Sequence, residues 1–189
     1  MALKTQFNGN VIDVEASGLS TEAYPIEVGV VLGTGRYYSN LIRPCEEWQY
    51  WCVEAEAIHG ISFDDLRRQG QPVDIVCRDL NALLKDETVY SDCWVKDSEW
   101  LNKLYGAAGI RPSFYCQPIE YFAEDHVVQK WPLLKSRTQA KLKLRQHRAL
   151  HDAIIIAQTL DEIMPGREMR AKRYAAGTKS INPRTAVVA

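Results

Sequence analysis

The sequence predicts an α/β domain: a five-stranded mixed sheet, its first three strands antiparallel, flanked by helices. Three observations predict it. Three β-rich runs follow one another near the N-terminus with only short turns between them. Helix-like and strand-like segments then alternate as α, β, α, β, α. The last helix is apolar enough to belong to the core.

Asn10–Val14 (NVIDV) is a short apolar run broken by one acid, the pattern of a buried strand that ends in polar residues. After Gly18 and Pro25, Ile26–Leu32 (IEVGVVL) is a second β-rich run. Gly33–Gly35 makes a turn and Arg36–Arg43 (RYYSNLIR) alternates as a third strand, giving an antiparallel meander. Val53–His59 reads as a short helix, and Ser62, with Asp65 three residues on, starts another through a variant of the capping box. Val73–Leu84 repeats apolar residues at helical spacing. Thr88–Ser91 is a short strand, Asp97–Tyr105 a helix with Trp100, Leu101 and Leu104 on one face, and Ser113–Cys116 the last strand. Ala149–Met164 is the strongly apolar helix, closed by Pro165-Gly166. Residues 1–166 are therefore expected to form one domain, and 167–189, basic and rich in small residues, a loosely ordered tail.

A chain of 189 residues that is 46% hydrophobic can bury a real core, which excludes disorder as its general state. No run approaches the roughly 18–20 apolar residues of a membrane span, and the first ten residues lack the apolar segment of a secretory signal. Five cysteines, odd in number and without C-x-x-C spacing, read as reduced thiols of a cytoplasmic protein. The net charge of −1 conceals a division. Residues 1–125 carry 20 acidic and 10 basic side chains, residues 126–189 carry 4 and 13. From His126 to Arg148 there are seven basic residues and no acid. Carboxylates gathered for metal and cations gathered for a polyanion produce such a pattern, as does a dipolar surface without function.

Three constellations can carry chemistry. Asp13 and Glu15, two apart on the opening strand, share one face, and their repulsion is relieved by a hard divalent cation such as magnesium or manganese. Taken alone, a solvated strand end accounts for them better. His147 and Asp152, in HRALHD, sit at the entry to the apolar helix, where a histidine titrating near neutrality can take a proton from water. A surface histidine and an acid favouring a helix N-terminus are the plain alternative. His151, between them, receives no role. Asp97 begins a helix directly after a strand and could equally be an N-cap.

Together these residues resemble the DEDDh 3′–5′ exonucleases, the group of polymerase proofreading subunits and ribonuclease T. The family's D-x-E-x-x-G-L motif is met by DVEASGL and its apolar strand by PIEVGVVL. IHGIS matches the H-G-I-S/T segment, and HRALHD the closing H-x-A-x-x-D. The likeness runs from about Asn8 to Met164 and implies a ribonuclease H-like fold. It implies that Asp13, Glu15 and Asp152 bind metal and that His147 is the general base. Asp97-Ser98-Glu99-Trp100-Leu101 matches the end of the second motif, so Asp97 is the fourth acid; Asp92, standing where the family has His, is the alternative. The H-N-A of that motif is absent, and Ala16 stands where a Thr often contacts the terminal nucleotide.

The implied chemistry is two-metal phosphodiester hydrolysis with Mg2+ or Mn2+, two ions per site. Its substrate would be the 3′ end of single-stranded DNA or RNA. Leu19, after Gly18, matches the residue that packs on the terminal base; His59 of IHGIS and Trp51 join Ala16 and Gly18 in the expected substrate-binding set. Trp48, Tyr50 and Trp51 suit base stacking, though core packing is slightly favoured for the tryptophans. Of Lys130, Lys135, Arg137, Lys141, Lys143 and Arg145, two or three are expected to reach a backbone phosphate. The rival readings are a non-catalytic nucleic-acid-binding or scaffold protein that keeps the fold, and a metal-independent interaction module. The choice of DNA or RNA, a homodimer and a polymerase partner are left open.

Overall fold

The first three strands are joined by turns too short for a crossover, so they can pair only as antiparallel neighbours. The computed structural model, which describes residues 7–121 and 128–163, has that arrangement. β1 (Asn10–Ala16), β2 (Pro25–Val31), β3 (Tyr37–Leu41), β4 (Thr88–Ser91) and β5 (Tyr115–Pro118) form one sheet in the order β3-β2-β1-β4-β5. β1 to β3 are antiparallel, and β4 and β5 are added in parallel through helical connections. The fold is the expected five-stranded mixed sheet flanked by helices.

The helices are α1 (Val53–His59), α2 (Phe63–Gln69), α3 (Val73–Leu83), α4 (Trp94–Ala108), α5 (Trp131–Leu142) and α6 (Ala149–Ile163). Ser62 and Asp65 close the capping box that opens α2, each side chain accepting the other residue's backbone N–H. Strand alternation sorts the core into two. Ile12, Val14, Ile26, Val28 and Val30 pack on α3 and α4 through Val76, Leu80, Trp100 and Leu104. Val11 and Val31 face the other way, onto Trp131 and the α6 residues Ala153, Ile156 and Leu160. Asp13 and Glu15 share the parity of Val11, so the sheet turns them toward α6.

Several boundaries differ from the expectation. α4 begins at Trp94, three residues early, so Asp97 lies in its first turn and is not an N-cap; Cys93 holds that position. β5 starts at Tyr115, because Ser113 is drawn off the ladder by Asn81: its N–H donates to Asn81 Oδ1 at 2.9 Å and its hydroxyl to the Asn81 carbonyl at 3.1 Å. α5 lies where the sequence suggested only a basic run. It buries just Trp131 and Thr138, so it has no apolar stripe to read. No helix among the described residues is long and apolar enough to cross a membrane. The expected tail, 167–189, lies outside the described residues.

Candidate active site

β1 and β2 pair so that Asp13 faces Gly29 and Glu15 faces Glu27, with a bulge between Glu15 and Ala16. The first turn of α6 lies directly on Gly29. A Cβ there would stand 2.2 Å from the Leu150 nitrogen and 2.3 Å from the Ala149 carbonyl carbon. Only a glycine admits the helix at that distance, and this brings Asp152, in the first turn of α6, over the β1 carboxylates.

The loop entering α6 is held at several points. His147 has a left-handed backbone (φ 56°), and its N–H donates to Asp152 Oδ2 at 2.9 Å. The Arg148 guanidinium forks onto Glu27, Nη2 to Oε1 at 2.7 Å and Nε to Oε2 at 3.0 Å. Glu27 Oε2 also accepts the Ala149 N–H at 2.9 Å. Arg145 donates to the His59 carbonyl at 3.2 Å, and its own carbonyl lies 3.0 Å from His151 Nδ1. The result is that one donor atom each from Glu15, His147 and Asp152 lies within 4.8 Å of the others.

β4 stops pairing with β1 after Val11, and the Val14 N–H beyond that point is taken by Asp97 Oδ1 at 3.1 Å. The other Asp97 oxygen accepts the Ser91 hydroxyl. Asp97 is thus buried (2% exposed) against the residue between Asp13 and Glu15. Asp92 is placed differently. Its Oδ2 accepts the Trp131 indole N–H at 2.9 Å and pairs with Lys135 Nζ at 2.6 Å, joining α5 to the end of β4.

The electrostatics follow from this crowding. Burial first, then repulsion from Asp97, Glu15, Asp152 and Asp92, holds the Asp13 carboxyl well above the ordinary carboxylate range. Burial followed by Asp152 and Glu27 pushes Glu15 up to about 8. Burial raises Asp97 to about 7 against the relief of its Ser91 and Val14 hydrogen bonds, and burial also raises Asp152. Several carboxylates gathered with too little countercharge could hold a divalent cation, which would relieve their repulsion.

The residues expected to meet substrate differ in their surroundings. Leu19 is 80% exposed, and Gly18 lies against Tyr50 and Cys52, which leave a Cβ no room at 2.8 and 2.9 Å. Ala16 is partly buried against the core. Trp51 is half-buried, edge-on to His59 and Phe63, its indole donating to Glu56 at 2.6 Å. Trp48 stacks on Tyr24 inside the core, 5.1 Å between ring centroids. His59 is 2% exposed, and burial lowers its pKa. Its Nδ1 accepts the Ile61 N–H at 3.1 Å, which puts the ring proton on Nε2, and that buried atom has no acceptor among the described residues. Of the basic run, Lys135, Lys141 and Arg145 are engaged with Asp92, Glu162 and the His59 carbonyl, while Lys130, Arg137 and Lys143 are exposed.

Sequence reasoning passed over Glu27, Gly29 and the clamp through Arg148. The one signal for them was an acid and a glycine inside the apolar run IEVGVVL, both poor strand formers.

The chain shares its fold with solved exonuclease I structures. The solved structures it resembles include E. coli exonuclease I in complex with a dT13 oligonucleotide, at TM-score 0.67 and 13% identity over 82% of this chain and 40% of that one. The zinc-ion-bound form of the E. coli enzyme with single-stranded DNA gives 0.65 and 13%, covering 80% and 39%. Exonuclease I from Methylocaldum szegediense gives 0.61 and 14%, covering 82% and 40%. The chain thus spans about 40% of the length of these exonucleases. No family model and no curated protein matches at the level of sequence.

Proposed function

We propose that this chain is a metal-dependent 3′–5′ exonuclease that removes nucleotides from the 3′ ends of single-stranded DNA or RNA. The observation that carries this reading is the convergence of Glu15, His147 and Asp152 within 4.8 Å, beside Asp13 and Asp97, on the fold of exonuclease I. Asp13, Glu15, Asp97 and Asp152 would hold two divalent ions, magnesium or manganese. Bound there, such ions neutralise phosphate charge and lower the pKa of water. His147, as neutral imidazole, accepts the proton of the attacking water. The water oxygen forms a bond to phosphorus and the P–O3′ bond breaks, releasing a nucleoside 5′-monophosphate.

Leu19 offers an apolar surface to the terminal base, with Ala16, Gly18 and Trp51 beside it. His59 Nε2–H, a buried donor without an acceptor among the described residues, suits a substrate oxygen. Lys130, Arg137 and Lys143 suit backbone phosphates. The single-stranded oligonucleotides held by the exonuclease I structures support this substrate class. The five free cysteines fit a reducing cytoplasm.

The test is incubation of 5′-labelled DNA and RNA oligomers with the protein in Mg2+, Mn2+ or EDTA, with products resolved on a gel. A ladder shortening from the 3′ end, abolished by EDTA, is expected. Binding without shortening under every metal condition would overturn the activity and favour the non-catalytic reading.

A further inference from the structure

Glu27, on β2 opposite Glu15, is as buried as Asp97, at 2% exposed. A buried carboxylate needs a partner, and this one has two that belong to the same stretch of chain. Arg148, the residue after His147, covers it with charge-assisted hydrogen bonds from both Nε and Nη2, and the Ala149 N–H at the start of α6 adds another. The helix N-terminus and its dipole therefore dock on the β2 carboxylate, while Gly29, two residues along, clears the space for the first turn.

The two proposed site residues at the entry to α6 flank this joint. His147 precedes Arg148, and Asp152 lies one turn beyond Ala149. The Asp152 carboxylate in turn holds the His147 backbone. Glu15 supplies the third member of the convergent trio from the strand beside Glu27, so the clamp and the trio share one pair of strands.

We propose that Glu27, acting through Arg148 and the Ala149 N–H, is the positioning residue that sets His147 and Asp152 over Glu15. Its carboxylate oxygens are taken by Arg148 and the Ala149 N–H, so its proposed role is exerted through them. The inference deepens the exonuclease reading and rests on it for its kinetic part, but the metal-binding part stands apart from activity.

Three variants test it: Glu27→Gln, Arg148→Lys, and Glu27→Met/Arg148→Met. Each is measured for Tm, for Mn2+ affinity by electron paramagnetic resonance, and for kcat and KM on a single-stranded oligonucleotide. Glu27→Gln is expected to weaken Mn2+ binding and lower kcat by roughly 10–100-fold, the usual cost of losing a group that orients metal ligands, with KM close to the parent's. Arg148→Lys keeps the charge and should retain part of both. In the double variant no unpaired charge is left buried, so most of the Tm returns while Mn2+ affinity and kcat stay low. A purely structural pair predicts otherwise: both would recover together with the Tm, and that result would overturn the proposal. So would Glu27→Gln with parental Mn2+ affinity and kcat. If Glu27→Gln does not fold, the other two variants decide. Should the parent bind Mn2+ yet cleave nothing, the exonuclease reading fails, and the Mn2+ measurements still judge the positioning role.

Discussion

The backbone of His147 is held by the side chain of Asp152. Because His147 takes a left-handed conformation, its N–H turns back to the carboxylate five residues ahead, at 2.9 Å. The same carboxylate meets the imidazole and Glu15 in the convergent cluster. One acid thus fixes the posture of the proposed base and supplies a candidate metal ligand.

Replacement of His147 must respect that backbone. Asn tolerates positive φ better than Ala, so His147→Asn isolates the imidazole. Turnover should fall by roughly 10²–10⁴-fold, the usual worth of a general base, with Tm and Mn2+ affinity near the parent's. A single-turnover assay at near-parental rate would remove the base assignment.

His151, given no role from the sequence, contacts the Arg145 carbonyl across the same loop. His151→Ala should cost about 1 kcal/mol of stability, the net worth of one hydrogen bond. Turnover should fall by far less than in His147→Asn. Denaturant melts and rates on the two variants side by side check this.

The raised carboxyls give the metal-free protein a definite pH response. Glu15 rises from 4.5 to about 8, so the native state binds more protons than the unfolded chain between those values. Stability must then fall as pH rises through that window. Glu15→Gln should flatten the fall and raise the Tm at pH 8, by ~2–4 °C for each kcal/mol of repulsion relieved. The same variant should lose exonuclease activity. Calorimetry at pH 5 and pH 8 in EDTA tests the sign.

Gly29 tests the docking of α6. Gly29→Ala places a methyl group 2.2 Å from the Leu150 nitrogen, which only movement of the helix can relieve. A loss of about 1–3 kcal/mol is expected from overpacking, with Mn2+ affinity reduced because Asp152 moves with the helix. Unchanged Tm and Mn2+ binding would contradict the described contact.

Asp97 and Asp92 separate cleanly. Asp97→Asn should abolish turnover while the protein still folds, since the amide can still accept the Val14 N–H. Asp92→Asn breaks the ion pair with Lys135 and loosens α5, so a lower Tm with residual turnover is expected. The reverse pattern would make Asp92 the fourth acid.

Much of this protein is written locally. Strand alternation alone turns Asp13 and Glu15 to one face, and the short turns alone force β1 to β3 into a meander, because both depend on neighbours in the chain. The order of the motifs, from DVEASGL to HRALHD, likewise carries the resemblance that makes Asp13, Glu15, Asp152 and His147 candidate site residues. Tertiary structure decided the rest. That Asp97 rests on β1 while Asp92 pairs with Lys135 depends on where β4 ends and where α5 comes to lie. α5 itself was invisible, since a helix that buries only Trp131 and Thr138 leaves no periodic trace. Glu27 looked like a misplaced acid in a buried strand until Arg148, 121 residues away, closed over it. No local rule reaches across that separation, because a buried charge is made tolerable only by the partner that folding brings to it.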